Sequence, residues 1–119
     1  MHEFYFEKLV VWQNARTLVK DIYLCTADFP SQEQFGITSQ LRRAATSIAA
    51  SIAEGMSRAG DKDKLKFLNQ AYSSAIEVIN FLILSLDLGF VNEESYIRLR
   101  SQLEYITNQL QALSKKIGS

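Results

Sequence analysis

In 119 residues the chain has one proline, one cysteine, one histidine and five glycines. A single cysteine, Cys25, excludes an intrachain disulfide and fits a reducing compartment. A single histidine, His2 near the chain start, leaves little from which to build a histidine metal site or a nucleophilic triad. The Glu-x-x-His pair that carboxylate-bound iron uses inside helical bundles is missing as well. There is no Gly-rich phosphate loop; Gly55, Gly60 and Gly89 stand where helices should end. Cys25 falls on an apolar helical stripe, where a thiol is ordinarily inert packing. No catalytic residue, cofactor or metal is expected, and an enzyme is the least favoured reading.

Charge of one sign is also lacking: 13 Lys and Arg balance 13 Asp and Glu, so no global field advertises nucleic acid or an anionic membrane. The balance breaks locally. Between Leu41 and Lys66, six basic residues face only Glu54, Asp61 and Asp63. The longest apolar run, Val78 to Phe90, is interrupted by Asn80 and Asp87 and falls short of the roughly 20 residues that span a bilayer. The opening MHEFYFEK has neither a basic region nor an apolar one to direct export. A cytoplasmic protein with no membrane contact is expected.

What the chain does have is helical periodicity. With 47% hydrophobic and 22% charged residues it reads as one folded domain, 1–119. The first helix is expected over about 6–28, where Val11, Ala15, Leu18, Ile22 and Cys25 share a face until Phe29-Pro30 stops it. The second is expected over about 38–58 with Thr38 as N-cap, and the third over about 62–88 with Asp61 as N-cap. On the third, Leu65, Leu68, Tyr72, Ile76, Ile79, Ile83 and Leu86 form the expected core face. Phe67, Val78, Phe81, Leu84 and Leu88 lie opposite it, so this helix is apolar nearly all round and needs cover from another subunit. The fourth, about 93–116, opens on Asn92 and carries an unbroken seam of Tyr96, Leu99, Leu103, Ile106, Leu110, Leu113 and Ile117. Four helices on short connections predict an all-α, antiparallel up-down four-helix bundle.

The most unusual stretch is Gln40–Gly55, QLRRAATSIAASIAEG. Leu41, Ala45, Ile48, Ile52 and Met56 fall on one line at about 100° per residue. Behind them Arg43, Ser47, Ala50 and Glu54 form a second stripe with little bulk, where a solvated helix usually carries long charged side chains. Such a stripe admits another helix closely. Arg43, Ser47, Ala50, Glu54, Phe81 and Leu84 are therefore the candidate subunit contacts. Arg43 and Glu54 either pair with neighbouring helices or are simply solvated. Arg42, Arg58, Lys62, Lys64 and Lys66 are the candidates for phosphate contact, against the plainer reading of a solvated basic face.

Several of these segments, in this order, resemble one family. FEKLVVWQNARTL, then SQLRRAATSIAASIAEG, then FLNQAYSSAIEV are similar to the four-helix-bundle proteins encoded in intervening sequences of bacterial 23S rRNA genes. The likeness spans roughly Phe6 to Leu113 and is most specific at Gln40, Arg43, Ala44, Ser47, Ile48, Ile52, Ala53, Glu54 and Gly55. The chain departs from the family pattern at Ala49-Ala50-Ser51, where Pro-x-Asn is common, and at Ser73-Ser74, where Gly-Ser is usual. The resemblance implies an up-down bundle that assembles into a homopentamer with the second helix near the contacts, and no enzymatic activity. It also implies kinship with the accessory protein of diversity-generating retroelements, a pentamer that binds reverse transcriptase and nucleic acid. The leading expectation is a non-enzymatic oligomeric scaffold that contacts RNA or DNA through basic residues. The alternative is a protein–protein adaptor with no nucleic-acid role.

Overall fold

The computed structural model describes residues 1–119. Its helices are α1 (Val10–Thr26), α2 (Ile37–Gly55), α3 (Asp61–Asp87) and α4 (Glu93–Gly118). Each packs on its neighbour in sequence, α4 returns against α1, and the diagonal pairs do not meet. This is an antiparallel up-down four-helix bundle with no strand, as the periodicity predicts.

The helix ends follow local chemistry, with several corrections to the sequence reading. Residues Tyr5–Lys8 form a separate 3₁₀ turn, cut off from α1 by extended backbone at Leu9. Phe6 then lies edge-on to Trp12, ring centres 5.1 Å apart. Thr38 is not an N-cap: Gly36 takes that place, and the Glu33 carboxylate reaches the Ile37 N–H at 3.4 Å instead. Asp61 is likewise the first residue of α3 rather than its cap, which is Gly60. α2 stops at Gly55 and not near Arg58, closing on tight bonds from Ser57 N to Glu54 O and Arg58 N to Gly55 O.

Two ends behave as expected. Asn92 Oδ1 accepts the Ser95 N–H at 2.8 Å, with Glu93 and Glu94 in the first turn of α4. Gly89, at φ 78°, ends α3 in a Schellman arrangement: Phe90 N donates to Ser85 O and Gly89 N to Leu86 O. Phe90 then packs against Phe29, 5.6 Å between ring centres, and joins the two loops at that end of the bundle.

The core is the sum of four stripes. Leu18 and Ile22 of α1, Leu41, Ile48 and Ile52 of α2, and Leu99, Leu103, Ile106 and Leu110 of α4 are all buried as predicted. On α1 the stripe finishes at Thr26, while Cys25 is only half-buried. On α3 the prediction is a quarter-turn off. Leu68, Ala71, Ala75, Val78 and Leu82 form the buried face, and Ile76 and Ile83 stand 46% and 38% exposed. Val78, assigned to the outer side, is core.

The reason lies in side-chain size. α2 offers α3 a ladder of Ala44, Ser47, Ser51 and Gly55, and α3 answers with Ala71, Ser74 and Ala75. Small residues on both sides let the backbones come close, and dispersion gained over the whole contact outweighs placing two isoleucines inside. At Gly55 the approach is tightest: a Cβ added there meets Phe67 Cβ at 2.6 Å. Ser47 Oγ and Ser74 Oγ share a hydrogen bond of 2.9 Å across the same contact. The α1–α4 contact is more polar. Asn14 Nδ2 donates to Gln109 Oε1 at 3.0 Å, and Gln102 Nε2 donates to Asp21 Oδ2 at 2.9 Å.

Candidate functional site

The six candidate subunit contacts fall on and around one face, the outer side of α2 and α3. Arg43, Ala50, Glu54 and Leu84 are exposed, and Ser47 and Phe81 half-buried. Ser47 faces α3 of its own chain, so part of the small-residue ladder is already covered internally. Beside it runs a small groove lined by Gln40, Arg43, Ser47, Ser74 and Glu77. Arg43 and Glu54 do not meet. Glu54 turns to Arg58, one helical turn on, at 3.8 Å. Leu88, one turn beyond Leu84 on α3, is 60% exposed and extends the apolar part of this face.

The five candidate phosphate contacts do not form one patch. Arg42 lies near the start of α2, roughly 20 Å along the helix from its last residue Gly55 at about 1.5 Å per residue, and Arg58 lies beyond that end. Arg58 leans over the Phe67 ring at 4.8 Å while pairing with Glu54. Lys64 donates its ammonium to the carbonyls of Arg58 and Ala59, which tethers the α2–α3 turn. Only Lys62 and Lys66 of this group are free of any partner. The fold adds two that spacing along the chain conceals. Lys115 and Lys116, in the last turn of α4, reach the same end of the bundle, where Gly118 lies beside Leu65 of α3.

Arg42 belongs to a different place. Its Nε donates to Thr26 Oγ1 at 2.8 Å and its guanidinium lies 4.5 Å from the Tyr23 ring centre. Thr26 in turn donates to Ile22 O at 2.8 Å. Tyr23, Phe35, Thr38, Arg42 and Arg43 line a cleft of about 470 Å³ at the α1–α2 end of the bundle. Sequence reasoning missed Tyr23 and Phe35. The available signal was Phe35 itself, an aromatic in the polar connector Ser31–Gly36 with no helical face to join.

A third recess, between α1 and α4, is lined by Asp21, Cys25, Asp28, Phe90 and Arg98. Burial pushes the Cys25 thiol above its ordinary pKa; Arg98 opposes that shift and Asp28 adds to it. A thiol held protonated is a poor nucleophile. No three His, Cys, Asp or Glu side chains converge in the manner of a metal site, and no helix is long and apolar enough to cross a membrane.

The bundle is similar to a crystal structure of a protein with unknown function from the S23 ribosomal protein family of Bacteroides thetaiotaomicron VPI-5482. The two share 25% identity at a TM-score of 0.81, over 89% of this chain and 99% of the other. No curated protein matches the sequence. The family model for the 23S rRNA-intervening sequence protein matches residues 7–112, nearly the whole bundle, and the chain belongs to that family.

Proposed function

We propose that the protein is a non-enzymatic, self-associating scaffold whose copies meet through the outer face of α2 and α3. The observation that carries this reading is the side of α3 left wet. Leu84 and Leu88, one turn apart at the end of α3, are 42% and 60% exposed. A helix that keeps neighbouring leucines in water is suited to cover by a second copy. The whole surface agrees. At 7304 Å² it exceeds the roughly 6,500 Å² expected of a compact monomer of this mass. Five copies in a ring is the stoichiometry that the family resemblance implies.

Light scattering on the eluting peak tests this directly. The expected mass is about five times the 13.5 kDa of one chain. A well-folded single copy at micromolar concentration refutes the scaffold and leaves an adaptor that uses the same face on a different protein. Nucleic-acid contact is a second reading, favoured by the gathering of Lys62, Lys66, Lys115 and Lys116 at one end of the bundle. A ring multiplies that cluster. Filter binding to structured RNA across a salt series tests it, since phosphate contacts weaken steeply as salt rises.

A further inference from the structure

We propose that the cleft between α1 and the start of α2 binds a nucleotide, free or as one unit of a single strand. Its phosphate would lie against Arg42 and Arg43, and its base against Phe35. Four observations converge there. The lining carries two guanidinium groups and no carboxylate. The cleft is an open recess of about 470 Å³. Arg42 is already held, by its bond to Thr26 and by the Tyr23 ring, so little of its freedom remains to be lost on binding. Its two terminal amino groups make no bond within the chain, and Arg43 has no carboxylate within 4 Å.

Phe35 supplies the second half of the site. It is 91% exposed, the most solvent-open aromatic of the chain, and sits at the mouth of the same cleft. Bases stack on such rings whatever their identity, because every base has a π-face. The third observation is at the wall. Thr38 is only 7% exposed, lines the cleft, and its Oγ1 has no hydrogen-bond partner. A buried hydroxyl without a partner is costly, and an incoming ligand oxygen that reaches it removes the cost. The fourth is the backbone behind it. α2 begins at Ile37 without a side-chain cap from its N-cap residue, Gly36. The Glu33 carboxylate takes the Ile37 N–H, while the N–H groups of Thr38 and Ser39 make no bond within the chain.

The cleft shares Arg43 with the candidate subunit contacts but Phe35 with none of them, so the mass of each variant, read beside its affinity, separates this site from self-association. The test is fluorescence anisotropy with a labelled twelve-nucleotide oligo(A) RNA, with unlabelled AMP and inorganic phosphate as competitors. Salt-sensitive binding of the oligomer is expected. Competition by AMP near the oligomer's own affinity identifies a free nucleotide as the ligand; competition only by the strand identifies single-stranded nucleic acid. Phe35→Ala should weaken binding about tenfold and Phe35→Trp should restore it, as expected of a stacking platform. Arg43→Gln should weaken binding and lower the salt slope by about 0.7, the loss of one phosphate contact on a single strand. Lys8→Gln, in the 3₁₀ turn before α1 and outside the cleft, should change neither. Phe35 is so exposed that its variants should keep the parent's helicity and mass. Absence of binding at low salt, or binding that Phe35→Ala and Arg43→Gln leave intact, overturns the proposal. So does a Phe35→Ala chain whose altered mass accounts for the lost affinity.

Discussion

At the residue scale, space and solvation decide what single positions tolerate. Gly55 carries no Cβ because Phe67 occupies the place where one would be. Gly55→Ala gains helix propensity of about 1 kcal/mol but forces the two backbones apart. A net loss of about 1–2 kcal/mol in urea denaturation is expected, and an unchanged midpoint would show that the contact yields. Cys25 offers a pH test. Its folded pKa is raised, so the folded chain holds the thiol proton more tightly than the unfolded one. The associated stability is present below the unfolded value and is lost as pH rises through the folded one. Alkylation by iodoacetamide near pH 8 should accordingly be slower for the native protein than for the urea-unfolded chain. Neither residue was legible for its role. Gly55 reads as helix punctuation, and its clash partner lies across a turn; Cys25 reads as core but is half-buried.

Among the elements, α4 and α3 mark the two limits of what periodicity reveals. α4 alternates large apolar and polar residues cleanly, so its buried face could be read directly: Leu99, Leu103, Ile106 and Leu110. Its cap was equally plain. Asn92→Ala should cost about 1 kcal/mol, measurable as a fall in the thermal midpoint. α3 misleads because its large apolar residues go nearly all the way round. The choice of face passes to Ala71, Ser74 and Ala75, whose value is closeness and not bulk. Counting hydrophobic residues cannot see that preference; matching the small residues of α2 to those of α3 can. The same lesson covers the cleft. Tyr23 is on α1, Phe35 in a connector and Arg42 on α2, and only the packing of α1 on α2 assembles them.

For the whole molecule, the exposed part of α3 is where solution behaviour should respond. Leu84→Glu with Leu88→Glu places charge on residues that already face water, so the isolated bundle should lose less than about 0.5 kcal/mol per site. If copies meet there, the same change buries unpaired carboxylates, and the assembly should weaken by at least about 100-fold. Sedimentation across a concentration series separates the two effects. Loss of helicity together with loss of mass would mean that these leucines hold the fold itself.

The bond between Asn14 and Gln109 has a practical corollary. It sets the opening turn of the first rod beside the closing turns of the last, so the amino and carboxyl ends leave the bundle at a common pole. Lys62 and Lys66 share that pole, while Phe35 lies at the antipode. A purification tag or reporter at either end therefore crowds the lysines and leaves the Phe35 cleft unobstructed. Immobilising the protein through a tag should spare the proposed binding at the cleft and blunt any proposed contact at the lysines.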